Sequence, residues 1–292
     1  MEIRKVWAIS FSPTGGTERV CAEIAKALSD RLQAPSEGGS LNGPEARKRV
    51  YEFSASDLLV IACPTYAGRL PNKIAPDLRS ILRGNRTPAV AVVTFGNRAF
   101  DNALAELVML LSGNGFYPVS AGAFVTRHAF TDALGLRPAI LDLWEMRSFA
   151  ARTAEILLHS DAFPASATVP DSIPASATLS VTVPGDPDAP YYVPKGLDGN
   201  PANFLKAKPK VNGRCNQCGA CAAMCPTGAI NPRDASDVSG ICIKCQACVR
   251  RCTRQARYFD DPAFLSHVAA LERDCVDPKE NAVFYATHGI LD

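Results

Sequence analysis

The sequence predicts an α/β protein in which a doubly wound, five-stranded parallel sheet precedes a small cysteine-rich unit. Apolar runs alternate with helical patterns through the N-terminal half, a proline-rich segment follows, and eight of the 11 cysteines lie between Cys215 and Cys252. A chain of 292 residues is also longer than a typical single domain, so two folded units are expected. With 47% hydrophobic residues, the chain can bury a substantial core.

The N-terminal region alternates strand and helix in the manner of βαβ units. Residues 57–63 (DLLVIAC) and 88–95 (PAVAVVTF) are continuous apolar runs, which are typical of strands buried on both faces. The same patterns predict strands at 4–11 and 117–126 and helices at 17–32, 73–82, 101–112 and 141–159. The second strand has to fall within residues 34–53, where the sequence is polar and irregular, so its position is not predicted.

A glycine-rich turn, Ser12-Pro-Thr14-Gly15-Gly16-Thr17, separates the first predicted strand from the first predicted helix. Glycines let the backbone approach a ligand closely, hydroxyl groups donate hydrogen bonds, and a helix N-terminus presents free N–H groups to an anion. The turn has neither the lysine of a P-loop nor a G-x-G-x-x-G fingerprint. A phosphate site and an ordinary helix cap therefore both remain open.

Two further loops follow buried strands at the carboxyl edge of the sheet, where open α/β sheets bind ligands. Each places an aromatic residue beside a glycine, in PTYAGR (64–69) and in FGNRAF (95–100). A planar ring held between two aromatic side chains, with backbone N–H groups at its edge, is how a flavin would sit. The structural alternative is that Tyr66 and Phe95 cap the core.

The cysteine block contains the C-x₂-C-x₂-C-x₃-C spacing of bacterial ferredoxins twice. The first copy consists of Cys215, Cys218, Cys221 and Cys225, and the second of Cys242, Cys245, Cys248 and Cys252. Pro226 follows the first copy, whereas Thr253 follows the second. The spacing predicts two [4Fe–4S] clusters, because three closely spaced thiolates wrap one face of a cubane and the fourth reaches the other cluster.

This crossed arrangement defines two ligand sets. The first cysteine set is Cys215, Cys218, Cys221 and Cys252, and the second cysteine set is Cys225, Cys242, Cys245 and Cys248. Zinc is the alternative metal, because C-x₂-C pairs also build zinc ribbons. Zinc would explain four cysteines per site, but not the same three-plus-one spacing twice.

The formal net charge is only +2, but residues 206–260 carry ten basic and three acidic side chains. Such a basic stretch is one sign of a nucleic-acid-binding protein. We nevertheless expect no nucleic-acid partner, because metal-bound cysteines are thiolates and the basic side chains compensate their charge. Regular cysteine spacing in a cytosolic protein favours metal over disulfides.

We expect a cytoplasmic protein without a membrane partner. The N-terminus lacks the apolar run and the small-residue cleavage site of a signal peptide. The most apolar stretch, residues 104–111, is far too short to span a bilayer.

Residues 163–205 are predicted to be a linker, since they contain eight of the 22 prolines and repeat PASAT at 164–168 and 174–178. Tyr191 and Tyr192 suggest that the linker docks on a domain surface, and a free tether is the alternative. The predicted divisions are 1–162 for the α/β unit, 163–205 for the linker, 206–261 for the cysteine unit and 262–292 for a C-terminal helix (263–271) and tail.

Four residues outside the motifs also need an interpretation. Cys21 and Cys63 are predicted to be small core residues, and Cys275 has no evident partner. His128 follows the fifth predicted strand and is a candidate for the flavin edge, although a lone histidine in a loop is more often structural.

The order of these motifs resembles that of the flavodoxin–ferredoxin fusion proteins sometimes called EFR-type ferrodoxins. The resemblance covers nearly the full length and rests on the S-x-T-G-x-T turn (12–17), PTYAGRLPNK (64–73), FGNRAFDNAL (95–104), the double cysteine block and RYFDD (257–261). Residues 34–53 and Thr253 depart from the pattern. The resemblance implies a flavodoxin-like fold followed by a small α+β ferredoxin of the bacterial 2[4Fe–4S] type.

By the same resemblance, the cofactors are FMN and two [4Fe–4S] clusters. The FMN phosphate would lie on Ser12, Thr14, Gly15, Gly16 and Thr17. The isoalloxazine would lie between the two aromatic–glycine loops, at Thr65, Tyr66, Ala67, Gly68, Phe95, Gly96, Asn97, Arg98 and Phe100.

These cofactors imply an electron-transfer protein that relays electrons between FMN and the clusters, to or from redox partner proteins of low potential. Joining the carriers in one chain gives them a high effective concentration. No acid/base dyad or nucleophile is evident, and no catalytic residue is assigned. One alternative is a flavin-dependent reductase in which His128 or Arg98 takes part, and another is a redox-sensing or assembly module.

Anaerobically purified protein should contain about eight irons and eight acid-labile sulfides per chain, because eight correctly spaced thiolates are present. Iron, sulfide and flavin assays, together with an ultraviolet–visible spectrum, measure this. Stoichiometric zinc without labile sulfide would contradict the cluster interpretation.

Overall fold

The computed structural model describes residues 2–159 and 181–287. The strands of the first range are β1 (Lys5–Ser10), β2 (Ser36–Ser40), β3 (Tyr51–Phe53), β4 (Asp57–Pro64), β5 (Leu82–Gly84), β6 (Thr87–Phe95) and β7 (Phe116–Val125). Its helices are α1 (Gly16–Leu32), α2 (Ala75–Ile81), α3 (Ala103–Gly113) and α4 (Ile140–His159). The second range contains β8 (Lys210–Val211), α5 (Ala220–Ala223), α6 (Ala247–Arg250), β9 (Arg257–Tyr258), α7 (Pro262–Asp274) and β10 (Ala282–Tyr285). None of the helices in these two ranges is long and apolar enough to cross a membrane.

The main sheet confirms the predicted doubly wound architecture. Its five parallel strands lie in the order β2-β1-β4-β6-β7, which is the 2-1-3-4-5 order of flavodoxin-like sheets. Helices α1 and α4 cover one face of the sheet, and α2 and α3 cover the other. Strands β3 and β5 form a separate two-stranded sheet beside it.

The second strand lies in the polar stretch where its position could not be predicted. Strand β2 has the sequence SEGGS and pairs with β1, starting with Ser36 opposite Val6. It is the outer strand on that side of the sheet, and four of its five residues are exposed. Because backbone pairing rather than side-chain burial holds it, it carries no apolar pattern.

The continuous apolar runs arise because both faces of the central strands are covered. Successive residues of a strand point to opposite faces, so Leu59 packs with the α2–α3 layer and Val60 with the α1–α4 layer. Cys63 and Cys21 lie in these same two layers, as predicted. Burial raises the pKa of both thiols above the ordinary value.

The chain returns to the main sheet after the cysteine unit. The predicted helix at 263–271 is longer than expected, and Asp261 caps it by accepting a hydrogen bond of 2.9 Å from the Phe264 N–H. Strand β10, which the sequence did not predict, then pairs antiparallel with β7, and Tyr285 lies opposite Ser120. The Tyr285 ring packs 5.6 Å from that of Phe149, so the C-terminal segment extends the sheet and its core.

The predicted linker is docked along the part that the structure describes. Residues 163–180, with both PASAT repeats, lie outside the described residues. Further along, the Tyr192 N–H donates to the Ala67 carbonyl at 2.8 Å, and the Tyr191 hydroxyl donates to the Leu70 carbonyl at 2.8 Å. Residues 181–205 therefore run over the loop that follows β4, which favours docking over a free tether.

Candidate functional site

The two cysteine motifs share one backbone conformation. Gly219 (φ +74°) and Gln246 (φ +64°) adopt the left-handed region, and each is followed by a four-residue helix, α5 or α6. Two positions earlier in each motif, Gln217 and Lys244 also have positive φ, of 58° and 54°. The repeated turn brings three cysteines around one cavity and carries the fourth beyond the end of the short helix.

The cysteines line two neighbouring cavities. The larger has an empty volume of ≈ 500 Å³ and is lined by the first cysteine set, with Cys248 at its border. The smaller has an empty volume of ≈ 360 Å³ and is lined by the second cysteine set. Each cavity thus receives its fourth cysteine from the other motif, Cys252 for the larger and Cys225 for the smaller. This is the grouping that crossed ligation requires, and the ligation itself stays a prediction.

The two cavities differ in exposure. Cys218 of the first cysteine set is exposed, whereas every member of the second set is half-buried. Burial raises the pKa of Cys245 and of Cys248 to about 12. For Cys252, burial opposes ionisation, but backbone N–H groups and the Arg257 guanidinium outweigh it and lower the pKa below the ordinary value.

A buried cation lines the larger cavity. Arg257 is 4% exposed, and its Nη2 donates to Cys221 Sγ at 3.1 Å and to the Ala235 carbonyl. Its Nε is buried and makes no hydrogen bond. Four thiols and a buried guanidinium with a free donor fit an anionic iron–sulfur cluster. In the described ranges, no group of three or more His, Cys, Asp or Glu side chains is arranged to hold a single metal ion.

The predicted phosphate turn is held from inside the protein. Gly15 has φ +94°, a conformation that favours glycine. Ser12 Oγ accepts a hydrogen bond of 2.9 Å from the Glu18 N–H. Thr17 Oγ1 lies 2.7 Å from Thr94 Oγ1, at the end of β6. The shape of the turn is therefore set by buried hydroxyl contacts.

The outer side of the turn faces a second cation. Thr14 is exposed, and the N–H groups of Gly16 and Thr17 have no acceptor within α1 because they begin it. A Cβ placed on Gly15 would lie 3.4 Å from Arg251 Nη2, so this guanidinium rests against the turn. Arg251 is exposed, so solvent screens its charge. A guanidinium beside the positive end of a helix would still attract an anion between them, which fits a phosphate.

The loop after β4 contains a second buried polar atom without a hydrogen bond. Thr65 Oγ1 and Arg257 Nε are the two buried side-chain polar atoms without a hydrogen bond among the described residues. The Thr65 N–H donates to the Thr94 carbonyl at 2.7 Å, so Thr65 lies beside the phosphate turn. Its free hydroxyl fits a polar ligand, such as a flavin, at this edge of the sheet.

The tip of this loop is a tight turn that contacts the cysteine unit. Ala67 (φ 48°) and Gly68 (φ 79°) occupy its centre, and the Tyr66 N–H donates to the Arg69 carbonyl at 2.8 Å. Burial raises the pKa of Tyr66 well above its ordinary value, and the nearby thiols of Cys245, Cys63 and Cys242 act in the same direction. The second cysteine set therefore lies beside the predicted flavin loop.

The loop after β6 is mostly engaged with the protein itself. Phe95 is 5% exposed in the core, with its ring 5.6 Å from that of Phe100, which favours the structural alternative for Phe95. Asn97 donates from Nδ2 to the Cys275 carbonyl at 2.7 Å and accepts at Oδ1 from the Lys279 N–H at 2.9 Å. The Asn97 amide thus holds the segment that leads to β10.

His128 and Arg98 are also occupied. A Cβ on Gly96 would lie 2.3 Å from His128 Cδ2, so the glycine permits the close approach of the imidazole. His128 Nδ1 accepts from the Phe130 N–H at 3.1 Å, and burial lowers the pKa of His128 to about 4. Arg98 pairs with Asp101 and lies 4.2 Å over the Tyr192 ring.

Two arginines that the sequence analysis did not single out join the cysteine unit to the sheet. Arg47 donates to Asp77 at 2.8 Å and to the carbonyl of Pro226, which follows the first motif. Arg250, between Cys248 and Cys252, donates to the Ala129 carbonyl at 2.9 Å. No local pattern marks them, because their partners lie far away in the sequence.

Comparisons with known proteins find a family match around the first cysteine motif and solved structures similar to about half of the chain. Residues 209–231 match the family model described as a 4Fe-4S binding domain, and no curated protein matches the chain. Among solved structures, an archaeal flavodoxin is 14% identical, with a TM-score of 0.37 and coverage of 53% of this chain and 99% of that one. Oxidised flavodoxin 2 from Bacillus cereus is 16% identical, with a TM-score of 0.38 and coverage of 52% and 98%. Rubredoxin oxygen:oxidoreductase from Desulfovibrio gigas is 16% identical, with a TM-score of 0.37 and coverage of 55% and 38%.

The strand order and the matched motif together define the class of protein. The chain combines a flavodoxin-like α/β unit with a 4Fe-4S binding domain. This organisation, an α/β unit with the strand order of flavodoxins followed by a 4Fe-4S binding domain, is the one that the resemblance to flavodoxin–ferredoxin fusions implied.

Cys252→Ala should damage the same cluster as Cys215→Ala, because both cysteines line the larger cavity although they belong to different motifs. Electron paramagnetic resonance of the reduced variants measures which cluster signal is lost. Cys225→Ala and Cys242→Ala are the matched pair for the smaller cavity. Different signals lost from the two members of one pair would contradict crossed ligation.

Proposed function

We propose that the chain is an intramolecular electron-transfer protein that relays electrons between FMN and two [4Fe–4S] clusters. The observation that carries the proposal is the position of the second cysteine set. Ile243, which lies between Cys242 and Cys245, packs against the core of the α/β unit. Burial raises the pKa of Tyr66, and the thiols of Cys245 and Cys242 act in the same direction. One cluster site thus borders the loop that would hold the flavin.

FMN is the flavin that the residues favour. The turn from Ser12 to Thr17 and the Arg251 guanidinium would hold its single phosphate, and the Thr65 hydroxyl and the Tyr66–Gly68 turn would contact the ring. FAD would normally require a dinucleotide fingerprint, which is absent. Bound FMN supplies exchange of one or two electrons, whereas each cluster exchanges one.

The two cavities support an order for the relay. Thiols of the second cysteine set act on Tyr66 in the loop that would hold the flavin ring, and the first set contains the exposed Cys218. Electrons would pass between FMN and the second set, then the first set, and then an external redox partner protein. The neighbouring cavities share Cys248 at their border, which supports transfer between the clusters.

The contacts of His128 and Arg98 favour a carrier over a reductase with its own small-molecule substrate. A reductase needs an accessible ring face and a group that delivers a proton. His128 is held by Phe130, and burial keeps its pKa low. Arg98 is covered by Tyr192 and neutralised by Asp101.

Thr14→Ala and Thr17→Ala should each weaken FMN binding about tenfold or more. Thr14→Ala removes an exposed hydroxyl that would contact the charged phosphate, and Thr17→Ala removes the buried hydroxyl that holds the turn against Thr94. Flavin fluorescence titration of the deflavinated protein measures the dissociation constant. Riboflavin, which lacks the phosphate, is the control ligand and should bind both variants as it binds the wild type. Unchanged FMN affinity with normal iron content would show that the phosphate assignment is wrong.

Cys245→Ala should block electron transfer from photoreduced flavin to the remaining cluster, because Cys245 belongs to the set beside the flavin loop. Cys218→Ala, which removes one ligand from the outer set, should leave the transfer from flavin to the inner cluster intact. Freeze-quench electron paramagnetic resonance after flavin photoreduction compares the two variants, and retained flavin is the control for folding. Equal slowing of electron transfer from the flavin in both variants would contradict the proposed order of the two clusters.

A further inference from the structure

Arg257 is a buried charge that forms no ion pair with a carboxylate in the part of the chain that the structure describes. Its guanidinium donates to the carbonyls of Pro209 and Ala235 and to the Cys221 thiol. Asp234 is half-buried, and hydrogen bonds from the Ser236 hydroxyl and N–H lower its pKa, to which the charge of Arg257 adds. The two side chains nevertheless form no ion pair in the described part of the chain, so no fully buried anion offsets the charge of the guanidinium there.

A buried cation of this kind requires a counter-charge, because the loss of water around a guanidinium is strongly unfavourable. Arg257 lines the larger cavity together with the first cysteine set. Four thiolates with bound cluster sulfide would place negative charge there. The free Nε–H donor, which has no acceptor among residues 2–159 and 181–287, is then available to the same group.

We propose that Arg257 is the counter-ion of the cluster held by the first cysteine set, that its Nε–H donates into that cavity, and that it thereby raises the reduction potential of this cluster. The inference rests on the proposed function, since it takes both cysteine sets to hold [4Fe–4S] clusters. Arg257 is a positioning residue rather than a ligand, because it acts on the cluster through charge and hydrogen bonding.

The direction of the effect follows from the electron balance. Reduction adds one electron, and so one negative charge, to the cluster, and no bond is formed or broken. A cation in the wall of the cavity stabilises the reduced cluster more than the oxidised one, and hydrogen bonds to cluster sulfur act in the same direction. An electron from the flavin side is thereby favoured on the outer cluster, beside the exposed Cys218.

The smaller cavity has a different cation at its wall. Lys244 lines it, but its ammonium group donates to the carbonyls of Leu205 and Cys242. The Lys244 charge is thus held by protein acceptors, whereas Arg257 keeps one donor free. Arg257 also acts on Cys248, which lines both cavities, so its effect should be largest, but not exclusive, on the cluster held by the first cysteine set.

The test is a potentiometric titration of full-length, FMN-loaded protein with dithionite, followed by electron paramagnetic resonance. Arg257→Gln should disfavour reduction of one cluster about tenfold, which equals about 60 mV for a one-electron couple. Arg257→Lys keeps the charge but loses the Nε donor, so it should shift the same cluster less. The more strongly shifted signal should be the one that Cys252→Ala removes.

Arg254→Gln is the matched control, because Arg254 lines the same cavity but is exposed. Its effect should be smaller than that of either Arg257 variant, since solvent screens an exposed charge. Iron and sulfide content show whether each variant assembles its clusters. If Arg257→Gln does not assemble the cluster, the reduction potential of the cluster in Arg257→Lys is the test. A wild-type potential in Arg257→Lys would overturn the inference.

The outcomes also separate this inference from the proposed function. Wild-type protein without two [4Fe–4S] signals would overturn the proposed function, and the inference with it. Two normal clusters whose potentials are unchanged in Arg257→Gln would overturn the inference alone and leave the relay in place.

Discussion

Parallel strands end on the same side of a sheet, and this constraint brings the loops after β1, β4, β6 and β7 to one edge whatever their sequences. The phosphate turn and the Tyr66 turn lie there, and the Thr65 N–H and the Thr17 hydroxyl both meet Thr94. The cysteine unit docks on the same edge through Arg47 and Arg250. The candidate sites for flavin and clusters are neighbours because of the strand order, although up to about 240 residues of sequence separate them.

What could be predicted from sequence follows the strength of the local pattern. Strands β4 and β6 are apolar on both faces, and the cysteine spacing repeats. The central strands of the sheet could therefore be predicted from the sequence, and the cysteines could be divided into two sets. Strand β2 escaped prediction because an exposed edge strand needs no apolar residues. Strand β10 escaped because AVFY is short, and only the partner strand β7, more than 150 residues earlier, explains its place.

The residues that join the two units were invisible for a related reason. Arg47, Arg250, Arg251 and Arg257 belong to a basic stretch or a polar loop, where charged side chains are ordinarily solvated. From the sequence, only the sum of the basic charges could be set against the charge expected on the clusters. The structure shows where individual arginines lie: Arg257 is buried beside Cys221, whereas Arg251 reaches across to the phosphate turn. The sum alone could not distinguish these two roles.

Because the cysteine unit is docked on the α/β unit, joining the two units in one chain does more than raise their effective concentration. A flexible tether would raise the effective concentration of one carrier near the other, and transfer would still wait for an encounter. Here the Tyr192 N–H of the linker donates to the Ala67 carbonyl, which attaches the chain before the cysteine unit. After the cysteine unit, Asn97 holds the segment that leads to β10, and β10 pairs with β7 at the edge of the sheet. The cysteine unit is therefore attached to the α/β unit at both of its ends. In the proposed relay, electron transfer across the Tyr66 loop would depend on a fixed geometry rather than on diffusion. A fixed geometry also makes differences in potential, such as the one we ascribe to Arg257, the quantity that sets the distribution of electrons.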